Sequence, residues 1–528
     1  MKFAALSTIL VGFTLFIGIS ESANILGYFI TFSKSHLMVH RSVMQELINR
    51  GHNVTIVTTL PLENSKKTFR HLQLKAPEPP KEFITGIMKK AKGAFGFLGT
   101  LMGTTDFMLQ YNNASLHDPQ MKRLMAEESF DLVVFGYFFN SFQIGVGMHF
   151  KCPVVISFMH RPMNQLNDMV GNPLETTYVP HMVLGLSQPL DFLGRIKNLL
   201  LAVIMDMGVF SFIDYKSKRF YDYNFPSETY PPYEEALKNV SLVLSNYHFT
   251  NGVVRPNVPA IVEIGGIQIK PDTEPLPDDI KDFLDGASKD GAVYFSLGSN
   301  ARSADMNSET IKILYNVLSE LKQRVIWKWE EDTPPGNAAN ILFKKWLPQD
   351  DILAHPNIRL FITHGGHGSV VESEYHGVPM VGIPLFADQF SNMDGVQKAG
   401  YGLSLGKEEI TAEKFKSIVE EVLYNPTYRN KVQEFSRIYR DRPMSARDTA
   451  AYWIEYVIRH RGAKHMQSPA VHMNFIQLYG LDVFAFLFVL FYVMFKTLAF
   501  VFRKVVHLLF GRKCKDQNKE SNKHKKDQ

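Results

Sequence analysis

Arg359 to Gln389 reads RLFITHGGHGSVVESEYHGVPMVGIPLFADQ, and the fold around it follows from its punctuation. An apolar strand-like run, Leu360–Thr363, stops at His364. Gly365, Gly366 and Gly368 follow, then a helical stretch from Ser369 to His376, then a second apolar run from Met380 to Ile383. Strand, glycine turn, helix and strand make a β-α-β unit with parallel strands. Glycines let a backbone approach a ligand closely, and the N-terminus of the helix favours an anion, above all a phosphate. Ser369-Val-Val-Glu372 also fits a plain capping box, so the turn alone leaves the ligand open.

The same alternation extends outward on both sides. Apolar runs at Ala292–Leu297 and Val325–Trp329 join the two above in a half spanning residues 291–440. Ahead of it, residues 251–290 crowd Pro256, Pro259, Pro271, Pro275 and Pro277 before an acidic stretch, the composition of an interdomain linker. Residues 23–250 hold another set: a strand at Ala23–Phe32, a helix at Leu37–Asn49, Gly51, the strand NVTIVTTL, and further strands at Leu132–Phe135 and Pro153–Ser157. The expected fold is α/β, two doubly wound halves facing a cleft. Leu199–Ile213 is strongly apolar but interrupted by Asp206, and it is expected to be a core or acceptor-pocket helix.

Appendages lie at both ends of the 528 residues. Residues 1–22 have the pattern of a secretory signal peptide, with Lys2 before an apolar stretch and small residues at Ser20 and Ser22. Residues 441–481 are expected to return toward a membrane, residues 482–503 to cross it as one helix broken only by Lys496, and residues 504–528 to form a basic cytosolic tail. This is single-pass type I topology with a lumenal body. Lys525 and Lys526 stand fourth and third from the end, resembling the dilysine retrieval signal of endoplasmic-reticulum membrane proteins. From Arg503 onward the chain carries six excess positive charges against five for the whole, so the body is near neutral and no nucleic-acid surface is implied. Cys152 and Cys514 fall on opposite sides of the membrane, and no disulfide joins them on this topology. Sequons begin at Asn53, Asn113 and Asn239.

The glycine turn keeps particular company. Trp346-Leu-Pro-Gln349 precedes it, HGVP follows, and Asp388-Gln389 closes the segment. This pattern resembles the UDP-glycosyltransferases, and so do GYFITFSKSHLMVHRSVMQELINRGHNVTIVT, YFSLGSN, WLPQDDILAHP and RDRPMSARDTAAYWIEYVIRH. The membrane-bound animal members are the best match, with an invertebrate character around Phe138-Phe139-Asn140. The resemblance implies a GT-B fold, with the acceptor in the N-terminal half and UDP-sugar in the C-terminal half. Trp346 would stack on uracil and Gln349 would reach the base or ribose. His364, Gly366, Ser369 and Ser299 would meet the diphosphate, Glu372 the ribose hydroxyls, and Asp388 and Gln389 the sugar hydroxyls. Relatives often carry Asn where this chain has Gly368.

His36 follows the first strand at a strand-to-helix junction, where the helix dipole disfavours imidazolium and keeps a neutral base. The resemblance assigns it the acceptor hydroxyl proton. His40, one turn on, is read as a packing or surface residue. Relatives place an acid beside the histidine, and here that position is Gly136. Asp131 reads as a strand-entry residue, and Asn140 as a group able to orient the ring without stabilising its charge. The expected activity is inverting transfer of a hexose, glucose favoured and glucuronate the alternative, to a small lipophilic hydroxyl acceptor. No cofactor beyond the UDP-sugar co-substrate is expected, and no metal, because no Asp-rich pair or His/Cys cluster offers a site. Homo-oligomerisation stays open. The rival expectation is a catalytically impaired binding protein, motivated by Gly136.

Overall fold

The computed structural model describes residues 22–62, 69–77, 93–181, 186, 188–251, 253–299, 301–386 and 388–524. The signal segment before Ser22 and the Lys525-Lys526 pair lie outside them. The chain divides into two compact units, Met1–Ser468 and Pro469–Gln528.

The larger unit holds two parallel sheets. The first contains β1 (Asn24–Phe29), β2 (Asn53–Thr58), β3 (Arg70–Gln73), β4 (Leu132–Gly136), β5 (Val154–Phe158), β6 (Val240–Ser245) and β7 (Ile261–Glu263), in the order β3-β2-β1-β4-β5-β6-β7. The second contains β8 (Ala292–Ser296), β9 (Arg324–Lys328), β10 (Ile341–Lys344), β11 (Ile358–Thr363), β12 (Met380–Gly382) and β13 (Gly402–Ser404), in the order β10-β9-β8-β11-β12-β13. Every central strand is buried along nearly its whole length, as expected when helices cover both faces. Trp327 in β9 is fully buried and stacks on Phe295 of β8 with ring centroids 4.6 Å apart. Truncating it to Ala would cost about 3–5 kcal/mol.

Strand order reverses between β1 and β4 in one sheet and between β8 and β11 in the other. Ligands of open sheets bind beyond the carboxyl ends of strands at such switch points. His36 follows β1, Gly136 ends β4, Ser299 follows β8 and His364 follows β11, so topology alone gathers these four positions at the two crevices.

Some element bounds differ from the sequence expectation. The first helix is Lys34–Asn49, beginning three residues early. The helix after β11 is His367–His376, with Gly366 as its N-cap and no side-chain cap hydrogen bond. The capping box at Ser369-Val-Val-Glu372 is therefore not formed, because Ser369 already lies inside the helix. The stretch 251–290 contains β7, at the edge of the first sheet, and the helix Asp278–Asp285, whose Ile280 and Leu284 pack with Tyr294 under the second. Between them, Lys270 pairs with buried Asp351 at 2.7 Å and its backbone N–H donates to Asp350 at 2.8 Å.

The apolar segment around Asp206 is part of a longer helical run, Phe192–Val203, a π-helical stretch Ile204–Phe210, and Ser211–Asn224. One side, with Ala202, Met205, Val209 and Phe210, is buried, whereas Leu199, Leu200 and Met207 are exposed. In the smaller unit the helix Leu481–His524 includes 29 residues, Leu481–Leu509, long and apolar enough by length and composition to cross a membrane.

Candidate functional site

His364 stands where β11 ends, and two glycines shape the space for its ring. A Cβ added to Gly298 or Gly366 would come within 2.5 Å of the imidazole. Gly298 also has φ +84°, a conformation that L side chains rarely adopt. The turn after β8 and the turn after β11 thus close on the same imidazole. Burial and nearby Lys328 push the His364 pKa down to about 4, so the ring is neutral, and its buried Nδ1 has no hydrogen-bond partner among the described residues. Ser299 is exposed at the tip of the β8 turn. With glycine as N-cap, no side chain occupies the first-turn N–H groups of His367–His376, which leaves them available to an anion.

Gln349, Ser369 and Glu372 come together beside this helix end. Gln349 Nε2 donates to Ser369 Oγ at 3.1 Å and to Glu372 Oε2 at 2.7 Å, while Tyr294 donates its hydroxyl to Gln349 Oε1 at 3.2 Å. Burial, reinforced by Asp350, pushes the Glu372 pKa up to about 8. Trp346 is 63% exposed, unusual for the largest apolar side chain, and Lys34 Nζ lies 5.8 Å from its ring centroid. Lys34 begins the helix that carries His36, so this contact crosses the cleft.

Asp388 and Gln389 are laced to the glycine turn. Gln389 Oε1 accepts from the backbone of Leu385 and Phe386, at 2.8 and 3.0 Å, which commits its carbonyl and fixes the direction of its amide. Asn392 donates to Asp388 Oδ2 at 2.7 Å and to the Gly365 carbonyl at 2.9 Å. Eight of the nine positions expected for the nucleotide-sugar therefore belong to turns and first helical turns after strands of the second sheet, and Glu372 lies one turn further along His367–His376.

In the other half, the His36 ring lies 5.2 Å from that of Phe138, and its buried Nδ1 has no hydrogen-bond partner among the described residues. Burial pushes its pKa down to about 4. The ring is neutral as anticipated, with desolvation by burial the cause of the shift. Gly136 pairs with Ser157 in the sheet, and a Cβ there would lie 3.0 Å from both His40 Nε2 and Phe29 Cδ1. His40 is buried, stacked on Phe29 at 4.9 Å, with Nδ1 at 2.8 Å from Ser157 Oγ. It is a packing residue, and it crowds the space into which an acid at 136 would project.

Asn140 does not serve as the orienting group. Its amide lies within hydrogen-bond distance of Asn112 Oδ1, the Gly136 carbonyl and Gln143 Oε1, and its Oδ1 accepts from Phe138 N. Asp131 accepts from Asn24 N at 2.8 Å at the start of the sheet. Neither hydrogen-bonds to His36.

Sequence reasoning missed four participants. Lys34 and Tyr294 are named above. His367, first residue of the helix after β11, donates from Nε2 to the Asn246 carbonyl at 3.0 Å, and its ring lies 4.4 Å from that of His160, which follows β5. The place of His367 inside the glycine turn was a usable signal. Lys34 and His160 become neighbours of the second half only through the tertiary fold.

With that geometry in hand, comparison with known proteins is direct. A family model described as "UDP-glucoronosyl and UDP-glucosyl transferase" matches residues 26–515. The UDP-glycosyltransferase UGT5 of Dactylopius coccus is 34% identical over 480 residues, covering 90% of each chain. The human UDP-glucuronosyltransferase 2B15 is 30% identical over 494 residues, covering 89% of this chain and 92% of the relative. Among solved structures, a UDP-glucosyltransferase from Polygonum tinctorium capable of glucosylating indoxyl, in complex with 3,4-dichloroaniline, superposes with a TM-score of 0.56 over 84% of this chain and 99% of that one. At 17% identity it shares the fold.

Proposed function

The chain belongs to the UDP-glucoronosyl and UDP-glucosyl transferase family, and from that membership we propose that it transfers a hexose from UDP-sugar to the hydroxyl of a small lipophilic acceptor, with inversion. Glucose is the favoured hexose and glucuronate the alternative. His36 takes the acceptor proton, the acceptor oxygen forms its bond to the anomeric carbon, and the bond from that carbon to the diphosphate oxygen breaks. The departing negative charge meets the uncapped N-terminus of His367–His376, with His364 and Ser299 beside it. Trp346 stacks on uracil, Gln349 and Glu372 hold the nucleoside, and Asp388 and Gln389 hold sugar hydroxyls. The co-substrate brings all the chemistry the reaction needs, so no cofactor or metal enters the reading.

The observation that carries it is the buried His36 imidazole, neutral and with one nitrogen unpartnered, on the same helix as Lys34, which reaches Trp346 across the cleft. UDP release on addition of a phenolic acceptor tests it. His36→Ala should keep UDP affinity and lose turnover by about 100-fold or more, the usual weight of a general base. A second reading, a nucleotide-sugar binder with impaired chemistry, is favoured by the absence of any acid against His36 Nδ1. Stoichiometric UDP binding with no UDP release from the parent protein would select it. For location, the apolar helix Leu481–Leu509 supports a membrane anchor, and the basic stretch from Arg503 onward favours a body on the lumenal side.

A further inference from the structure

After β7 the chain passes from the first sheet to the second as Gly265-Gly266-Ile267-Gln268-Ile269-Lys270. Ile267 is fully buried and Ile269 is 5% exposed, yet Gln268 between them is an amide at 6% exposure. Burying an amide costs about 1–3 kcal/mol wherever its hydrogen bonds are not made, so packing alone would favour a third apolar residue here. The backbone on either side is clamped. Gly266 donates its N–H to Asn246 Oδ1 at 2.9 Å, Arg442 donates to the Gly265 carbonyl at 2.7 Å, and Arg447 donates to the Ile267 carbonyl at 3.2 Å. Ile269 packs with Val371 of the helix His367–His376. Gln268 is thereby held beside that helix.

The side chain is oriented as well. Its Oε1 accepts from Asn246 Nδ2 at 3.1 Å, which makes Nε2 the end that meets the candidate site. Nε2 is the nearest atom to a Cβ added at Gly368, at 3.9 Å, and the same amide acts on the Glu372 carboxyl, favouring its charged form. Gly368 and Glu372 stand four residues apart, on one face of the helix. An NH2 group carries two donors, so a second remains for a ligand when Glu372 engages the first. Gly368 sits in the first helical turn, whose free N–H groups favour an anion. The ligand oxygen that fits there is a phosphate oxygen.

We propose that Gln268 binds the nucleotide-sugar from outside the glycine turn, its Nε2 donating to a diphosphate oxygen beside Gly368 while Glu372 holds the ribose. The inference rests on the transferase reading above and adds to it a donor-site residue from the segment between the two sheets. Asn246, which orients the amide, follows β6 of the first sheet, so one side chain ties the ligand to both halves. The competing outcome is a structural bridge from Asn246 to Glu372 that never touches the ligand, and the test separates the two.

The test uses full-length protein in detergent, with UDP and uridine as probes. Calorimetry reads UDP directly and uridine by displacement of UDP, so no turnover is needed. Gln268→Met keeps the length of the side chain and removes its donors. It should weaken UDP about 10- to 100-fold, the weight of a hydrogen bond to a charged group. Uridine, which has the ribose but no phosphate, should lose severalfold at most, through Glu372 alone. Gly368→Asn puts a new amide beside the vacated one, and it should tighten UDP by a larger factor in the Gln268→Met background than in the parent, whereas independent sites would give equal factors. Gln268→Ala, which lets water reach Asn246, supplies the same comparisons if the Met variant does not fold. Equal losses for UDP and uridine, unchanged UDP affinity, or the same gain from Gly368→Asn in both backgrounds would each overturn the proposal. UDP binding that depends on Gln268, with no UDP release from UDP-glucose or UDP-glucuronate when a phenol is added, would sink the transferase reading and leave the Gln268 contact standing.

Discussion

Gln349 donates an amide hydrogen bond to Glu372 at 2.7 Å, and that carboxyl is otherwise so deeply buried that its pKa rises to about 8. The unfolded chain releases the same proton near 4.5. Between these values the folded state binds more protons, so Glu372 contributes stability that is fully present below about pH 4.5 and is lost as the pH rises through about 8. Glu372→Gln removes that contribution to the pH dependence. The ligand-free variant should gain in thermal midpoint over the parent at pH 8 and show a smaller gain, or none, at pH 5. Parallel shifts at both pH values would mean that Glu372 ionises normally.

Ribose hydroxyls donating to Glu372 favour its charged form, so UDP binding at pH 7 should expel a proton, approaching one per nucleotide. Calorimetric titration in two buffers of different ionisation enthalpy measures this directly. Proton release that persists in Glu372→Gln would place the titrating group elsewhere.

The candidate site was largely legible in the sequence, for a physical reason. The positions expected for the nucleotide lie mostly in turns and first helical turns at a single sheet edge, and such turns need glycine, proline and amide residues at fixed offsets that survive as a linear pattern. Gly298 and Gly366 are legible in this way because the backbone must pass close to His364. What was not legible depends on pairs far apart in sequence. Lys34 over Trp346 and His160 against His367 have no signature until the two sheets are placed. The capping box at Ser369 misled because Gly366 begins the helix three residues earlier, which turns a capping serine into an interior residue that accepts from Gln349.

His36 is neutral because it is buried, and the acid limb of its chemistry should move accordingly. With a pKa near 4 rather than 6.5, kcat/KM for a neutral acceptor should hold down to about pH 5 before falling. A pH profile breaking near 6.5 in folded, UDP-binding protein would show the ring to be better solvated than its position implies.

At Gly368 the space is open. The nearest atom to an added Cβ is Gln268 Nε2 at 3.9 Å, and φ is not in the left-handed region. Gly368→Asn should therefore fold as well as the parent. Its side-chain carbonyl can accept from Gln268 while its amide faces the diphosphate, and the KM for UDP-sugar should fall severalfold. An unchanged or higher KM in folded protein would show that the ligand does not pass this position.

Every residue assigned to the nucleotide, and His36, lies within Met1–Ser468. Deleting the chain from Asp482 onward should give protein that binds UDP with the affinity of the full-length form, measured by calorimetry. Loss of UDP binding in truncated protein with an intact cooperative unfolding transition would contradict that assignment.

Gly136 poses the hardest question, because an acid there would support an imidazolium at His36 and the structure leaves it little room. A Cβ at 3.0 Å from both His40 Nε2 and Phe29 Cδ1 is tighter than ordinary packing. Gly136→Asp alone should therefore lose about 1–3 kcal/mol of stability, the range for an overpacked core. Removing the His40 ring makes the space, so Gly136→Asp combined with His40→Ala is the informative variant, compared with His40→Ala alone. Without an acid, His36 gains a proton with little support, and phenols, which give up theirs readily, should be better acceptors than aliphatic alcohols. Adding the carboxylate should then raise the rate with an aliphatic alcohol more than the rate with a phenol. Equal effects on the two acceptors, at unchanged UDP affinity, would mean that the proton leaves His36 by another route and that Gly136 costs this protein nothing.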